Sequence, residues 1–441
     1  MQKNNPRIIR AWCAYDWANS TYSLVITSTI FPIYFGQVVR NPQGGDLIDF
    51  LGFEVRSSAL FSFAISFAYL LVASVNPLLT AIADYSHRRK RFLKLFCYLG
   101  AGSCALLYYF TRETLVFSLV AFVLATIGYS GSIVFYNAYL PEIATADRLD
   151  AVSARGYALG YVGSVLLLVF NLSMILMPGW YGGISGEMAS RVAFLSTGVW
   201  WAGFAQYTFH HLPNPVPQKE RGLTWIFKGY QELRKVVGSL RHQRFLKRYL
   251  LAFFFYSLGV QTVMYVATVF ADQELHLPID NLIITILIIQ LVAIGGAYLF
   301  AGLSRRLGNV KALMLAVLVW LGICPWAYFV DSSYEVYALA TLIGSVMGGI
   351  QALSRSTYAK LIPEDSQAYA SYFNVYDVVE KLSIVSGTAM YGLIKQFAPD
   401  VRTSFLVLAG TFLLGFFLLS RLVGQQTPQV SAQPVGEPLR E

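Results

Sequence analysis

Charge is what this sequence lacks most. Asp, Glu, Lys and Arg make up 13% of its 441 residues, about half of the ~25% usual in soluble domains. Cysteine and histidine are also scarce, at four and five. Cys13, Cys97, Cys104 and Cys324 fit neither a zinc site nor a disulfide framework. They sit in or beside apolar runs and read as small core residues. No His-Glu-x-x-His, Gly-x-Ser-x-Gly or Walker phosphate loop occurs. Those absences argue against a metalloprotease, a serine hydrolase and direct drive by ATP, and no cofactor or metal is expected.

What is present is apolar. Hydrophobic residues reach 56%, gathered into long runs near the ~20 residues that an α-helix needs to cross a bilayer. The runs are Trp12–Val38, Ser57–Ala83, Phe92–Thr111, Leu115–Tyr136, Gly156–Pro178 and Arg191–Leu212, then Lys247–Phe270, Leu282–Leu303, Val310–Val330, Tyr334–Ser354, Phe373–Lys395 and Ser404–Val423. Lipid cannot satisfy open backbone groups, so the spans must be helices or a closed barrel. Leu282–Val292 shows no in-out alternation, which removes the barrel. The predicted fold is an all-α polytopic membrane protein, twelve transmembrane helices in two pseudo-symmetric six-helix bundles. A soluble enzyme is excluded, and function is exercised in or through a membrane.

Lys and Arg set the orientation. They crowd the N-terminus (Lys3, Arg7, Arg10), the loop at Arg88–Lys94, the stretch from Lys219 to Arg248, and Arg305, Arg306, Lys311 and Arg355. The alternate loops carry few. The positive-inside rule puts both termini in the cytoplasm of a cell (inner) membrane protein. The net charge of +9 is thus a topology signal that faces anionic headgroups, and no nucleic-acid partner is expected. The first apolar run is long and holds Asp16, unlike a cleavable signal.

The chain divides into residues 1–212, a linker at 213–246, residues 247–424 and a tail at 425–441 that reads as disordered. The linker opens with Pro213, Pro215 and Pro217. It then places Ile226, Tyr230, Leu233, Val237 and Leu240 on one face bordered by basic residues, the pattern of a helix lying on the membrane surface. The halves echo each other: basic turns follow the second helix of each, and Leu140-Pro141-Glu142 matches Ile362-Pro363-Glu364. Transporters built from such repeats hold substrate between them and alternate access by rocking.

The turn Ala83–Arg91 resembles a degenerate form of the signature between helices 2 and 3 of the major facilitator superfamily, with Asp84, Arg88 and Arg89 matching. Three stretches resemble the vacuole-effluxer-like branch, the autophagy-related amino-acid effluxers of fungi and their bacterial relatives. They are Tyr15–Ser20; Phe135–Pro141 with Ser153–Tyr161; and Gln351–Ser356 followed by Leu361-Ile362-Pro363. One departure is Glu380, where the family pattern expects a small residue. The resemblance implies a secondary transporter of a small polar or amphipathic metabolite, with amino acids or peptides favoured. It also implies that helices 1, 4, 7 and 10 line the cavity.

Charged side chains inside spans are costly unless paired or wet, so each is a functional candidate. Asp16, Arg355, Asp377, Glu380 and Lys381 fall near the cytoplasmic ends of their predicted spans. With Asp84, Arg88 and Arg89 they read as a cytoplasmic gate, in which Arg88 or Arg89 pairs with Asp377 or Glu380 on closure. Snorkelling and local pairing without gating is the alternative. No acid falls at mid-span, so Asp16 is the candidate proton carrier, with Glu142 and Asp377 behind it. Neutral polar groups do fall there. Asn19, Thr27, Gln261, Tyr265, Gln290 and Gln351 are the substrate-contact candidates, though any one of them can instead stitch helices together. Gly128, Gly131, Gly344, Gly348 and Gly349 suit close helix packing. The expected partners are a small-molecule substrate, the bilayer and protons, and the expected state is a monomer. A lipid flippase on the same scaffold is the rival function, suggested by Phe61, Phe63 and Phe67.

Overall fold

The computed structural model describes residues 3–39, 47–50, 52–213, 243–273, 279–363 and 368–397, then 403–423, with isolated positions between. Among them run twelve long helices: α1 Pro6–Val39, α2 Ser57–Tyr85, α3 Arg89–Leu106, α4 Leu115–Asn137, α5 Leu149–Leu176 and α6 Gly186–His211, followed by α7 Arg244–Gln273, α8 Ile279–Leu307, α9 Asn309–Phe329, α10 Ser333–Leu361, α11 Tyr369–Phe397 and α12 Thr403–Ser420. Eight of them, α1 to α5 and α8 to α10, are long and apolar enough to cross a membrane by length and composition. Helices α7 and α11 carry four charged residues each, α6 is rich in Gly, Trp and His, and α12 is shorter. The surface-helix residues of the linker (Ile226, Tyr230, Leu233, Val237, Leu240) and the tail lie outside the described residues.

Several helices begin earlier than the apolar runs suggest, because caps rather than hydropathy start them. Helix α1 starts at Pro6, not Trp12: Pro6 fills the first position and the Asn5 side chain accepts from the Arg7 N–H at 3.0 Å. Ser185 likewise starts α6, and Ser332 with Glu335 forms a capping box at α10. A two-stranded hairpin, β1 Leu47–Phe50 and β2 Phe53–Arg56, precedes α2 and is absent from the sequence reading.

The helix pairings repeat with a shift of six. In the first half α1 packs on α5 and α6, α2 on α4, and α3 on α4 and α6. In the second, α7 packs on α11 and α12, α8 on α10, and α9 on α10 and α12. The halves meet where α2 and α4 face α11, and where α5 faces α8 and α10, contacts that the same shift exchanges. Outside, Leu70, Leu95, Val199, Leu299 and Leu413 stand exposed, as lipid-facing side chains do. The four cysteines are free and buried.

Glycine sets the closest approaches within each half. A Cβ on Gly344 or Gly348 of α10 would strike the α8 carbonyls of Ile289 or Ala293, and Gly128 of α4 lies against Gly100 of α3. Gly348→Leu should therefore cost about 1–3 kcal/mol by overpacking and lower the thermal unfolding midpoint in detergent. Gly295→Ala, which meets open space, should leave that midpoint unchanged.

Candidate functional site

A cavity of about 260 Å³ lies between the halves. Its polar wall is made by Ser20, Ser23 and Ser28 of α1, Gln261 of α7, Gln290 of α8, Gln351 of α10, and Glu380 with Lys381 of α11. Tyr69, Tyr129, Tyr157, Tyr161 and Tyr376 add aromatic surface. Asn137, Ser164 and Thr285 add further polar groups, and the remainder is mostly apolar and extends to Leu282, Val330, Val336 and Phe405, at the helix ends remote from the basic loops.

Helix α1 shows why its sequence pattern misleads. Tyr22–Thr29 is π-helical, which adds residues to the turn and rotates the face beyond it. Ser23 and Ser28, five apart, therefore share the cavity wall. Thr27, on the same face in a regular helix, turns away and is buried, and so is Asn19. Neither lines the cavity. Gln261, Gln290 and Gln351 do line it, whereas the Tyr265 side chain lies outside the described residues. Gln351 Oε1 accepts from Tyr161 Oη at 2.5 Å. Gln290 Oε1 is buried and has no hydrogen-bond partner among the described residues.

Helix α11 starts at Tyr369, so Asp377, Glu380 and Lys381 lie several turns inside it, with Glu380 near its middle. They do not meet Arg88 or Arg89, contrary to the gate pairing expected above. Lys381 Nζ lies 3.1 Å from Asp377 Oδ1 and 3.5 Å from Glu380 Oε2, over the Tyr69 ring. Glu380 Oε1 accepts from Gln261 Nε2 at 3.2 Å. An acid thus does reach the cavity wall, which the span boundaries hid.

The end carrying the basic loops is sealed by three polar contacts between the halves. In the first, Arg355 Nη1 of α10 lies 3.1 Å from Asp16 Oδ2 of α1, and Tyr136 Oη donates to the same oxygen at 2.8 Å. Arg355 Nε and Nη2 donate to Ser153 Oγ and O of α5, both at 2.9 Å. The guanidinium also faces the rings of Trp12 and Tyr157. Gly156 leaves the room this needs, since a Cβ there would press on Asp16 and Arg355. Both charged groups are buried, at 6% and 2% exposure. The three stretches that carry the family resemblance meet at this one point.

In the second contact, Asp84 at the end of α2 caps α11 from the opposite half. It accepts from the Ser371 N–H at 2.7 Å, the Ser371 hydroxyl at 2.8 Å and the Ala370 N–H at 3.2 Å. An anion at a helix N-terminus satisfies orphan donors and the helix dipole together. Arg89 Nε holds Asp84 Oδ1 at 2.8 Å and also pairs with Glu142. Arg88 is exposed and takes no part. In the third, Asp150 of α5 meets Lys360 of α10 at 2.7 Å, with Asn309 and Ser304 donating to it at 2.8 and 2.9 Å. Asp150, Lys360, Ser153 and Ser371 escaped the sequence reading because each looks like an ordinary helix-end residue. Among the described residues no group of three or more His, Cys, Asp or Glu side chains could hold a metal.

The helix arrangement and this sealed, two-halved cavity are those of the major facilitator fold. The outward conformation of FucP superposes with a TM-score of 0.68 at 13% identity, over 95% of this chain and 99% of that one. The human organic anion transporter MFSD10 (TETRAN) gives 0.67 at 17% identity, over 95% and 100%. Within that class, residues 4–429 match the family "Vacuole effluxer Atg22 like", and the chain belongs to it. Among relatives, the uncharacterized MFS-type transporter YxiO of Bacillus subtilis (strain 168) is 28% identical over the whole of both chains. Autophagy-related protein 22-1 of Phaeosphaeria nodorum is 25% identical over 91% of this chain and 88% of its own length.

Neutralising one partner of a buried ion pair strands the other, at about 3–5 kcal/mol. Asp16→Asn and Arg355→Gln should each destabilise the protein by that order, and the double variant by clearly less than the sum. A double-mutant cycle on unfolding in micelles reads the coupling.

Proposed function

We propose that the chain is a secondary transporter that carries a small polar or amphipathic metabolite across the cell membrane by alternating access. The single observation that supports this best is the polar cavity between two repeats, sealed at one end by contacts that run from half to half. The excess of Lys and Arg makes the sealed end cytoplasmic, with both chain termini on that side. The conformation is then outward-facing. The membership of the autophagy-related relatives in the family favours amino acids or peptides as cargo. The polar wall around Gln261, Gln290 and Gln351 favours a metabolite over a lipid, and the protein acts as a monomer.

The seal is the moving part. Opening requires Asp84 to leave the α11 N-terminus, Arg355 to leave Asp16, and Lys360 to leave Asp150. Protons are the coupling ion in this proposal. A protonated Asp16 no longer holds the Arg355 guanidinium, so proton binding favours the inward-open state. A ligand can shift an equilibrium only by its differential affinity for the two states, and here a proton has one.

Ala154, Ala297, Ala301 and Ala352 form a small buried cluster where α5 meets α8 and α10, and a thiol placed there reports the seal. Ala352→Cys in the parent protein should resist a membrane-impermeant maleimide. Adding Arg89→Ala or Asp84→Asn should speed labelling about fivefold, since each loses on the order of 1 kcal/mol of closed-state preference. Unchanged labelling in both backgrounds would remove the seal from the mechanism. Proteoliposome uptake driven by an imposed pH gradient should be lost in Asp16→Asn, and uptake indifferent to that gradient in the parent would reject proton coupling.

A further inference from the structure

The cavity wall carries an unbalanced charge. Among the described residues its only acid–base side chains, beyond tyrosines and Cys324, are Glu380 and Lys381. Behind them sits Asp377. Lys381 is shared between the two carboxylates, at 3.1 Å from Asp377 and 3.5 Å from Glu380, so the trio sums to a single negative charge. Arg355, which faces the ring of Tyr157 on the same wall, is already paired with Asp16, and the two cancel each other. Among the described residues, the cavity groups that the facing helices add are neutral: Gln261 from α7, Tyr69 from α2, Tyr129 from α4, and Tyr157 and Tyr161 from α5.

We propose that this cavity selects organic cations: a substrate ammonium group sits on Glu380, and an apolar or aromatic body lies among the tyrosines and the aliphatic wall. The proposal rests on the carrier reading above, keeps its small amphipathic cargo, and puts a cation in place of the amino acids or peptides favoured by relatedness. In a site of low dielectric, charge complementarity decides which ion enters. A cation brings the cavity to neutrality. An anion adds a second negative charge. A zwitterion gains at Glu380 but finds no free cation for its carboxylate, since Lys381 already serves two acids.

Two further features fit a cation. The Glu380 carboxylate is half-open to the cavity, with a side-chain exposure of 24%. Gln290 Oε1 is buried on the same wall without a hydrogen-bond donor among the described residues, which an ammonium N–H can supply. Tyr129, Tyr161 and Tyr376 line the same cavity, and aromatic rings offer cations a quadrupole attraction. The remaining wall, including Ile286, Ile289, Ile323 and Ile343, suits an apolar body.

Four probes of one shape separate the charge classes: phenethylamine, phenylalanine, 3-phenylpropionate and phenethyl alcohol, titrated calorimetrically into the purified full chain. Phenethylamine should bind at least tenfold more tightly than each of the others, and Glu380→Gln should erase that preference. Equal or tighter binding of any other probe overturns the assignment, as does an unchanged preference in Glu380→Gln. On the parent protein, mass spectrometry of carbodiimide-modified Glu380 gives a reading independent of that variant's folding. Phenethylamine should slow the modification several-fold and 3-phenylpropionate should not, and equal rates with both overturn the assignment. If phenylalanine binds tightly and is taken up by proteoliposomes, the carrier stands and the cation assignment falls. If thiol labelling at the sealed end never changes under any condition, the carrier reading falls with it.

Discussion

A guanidinium buried in the middle of a helical bundle has to find partners from everywhere around it. Arg355 draws Asp16, Tyr136 and Ser153 from three helices of the other half, and that demand brings α10 onto α1, α4 and α5. Between helices in lipid there is no hydrophobic force to do the same, because hydrocarbon tails are as apolar as leucine. Polar satisfaction therefore decides where the halves touch.

Two kinds of joint result. Within each half the joints are steric, with glycine backbones against helix carbonyls at Gly344, Gly348 and Gly128. Such contacts leave no room for a gradual change, since packed interiors are dense and stiff. Across the halves the joints are ionic or hydrogen-bonded, at Asp84 with Ser371, Asp150 with Lys360, and Asp16 with Arg355. Water can replace these partners one by one when the sealed end opens. Rigid bodies and exchangeable seams suit a rocking carrier.

Much of the architecture was legible in the sequence because hydropathy and repeat spacing report it directly. The all-α polytopic fold needed only long apolar runs, and echoing turns pointed to the repeat seen in the helix pairings. Helix ends were less legible, since caps such as Asn5, Ser185 and Ser332 are small polar residues outside those runs. That error mattered at α11. Starting the helix at Phe373 put Glu380 near a membrane surface, and starting it at Tyr369 puts it on the cavity wall. The cap that makes the difference, Asp84, is 285 residues away in sequence from the helix start it serves. Gln261, Gln290 and Gln351 were readable as cavity candidates because the family resemblance implies which helices line the cavity. Thr27 was misplaced because a regular period was assumed where α1 widens, whereas Asn19 precedes that stretch and is buried away from the cavity. The hairpin left a signal that went unused: Phe50 and Phe53 flank a turn at Gly52, whose φ is +85°.

The wide turn in α1 has a mechanical consequence. Each π-type hydrogen bond spans one residue more than its α counterpart, so the stretch from Tyr22 to Thr29 stores one surplus residue of chain. Migration of that surplus by a single step up or down the helix would swivel every side chain it passes. A rod carrying such a travelling defect can re-index its serine face toward the lumen without unfolding and without moving either of its anchored ends.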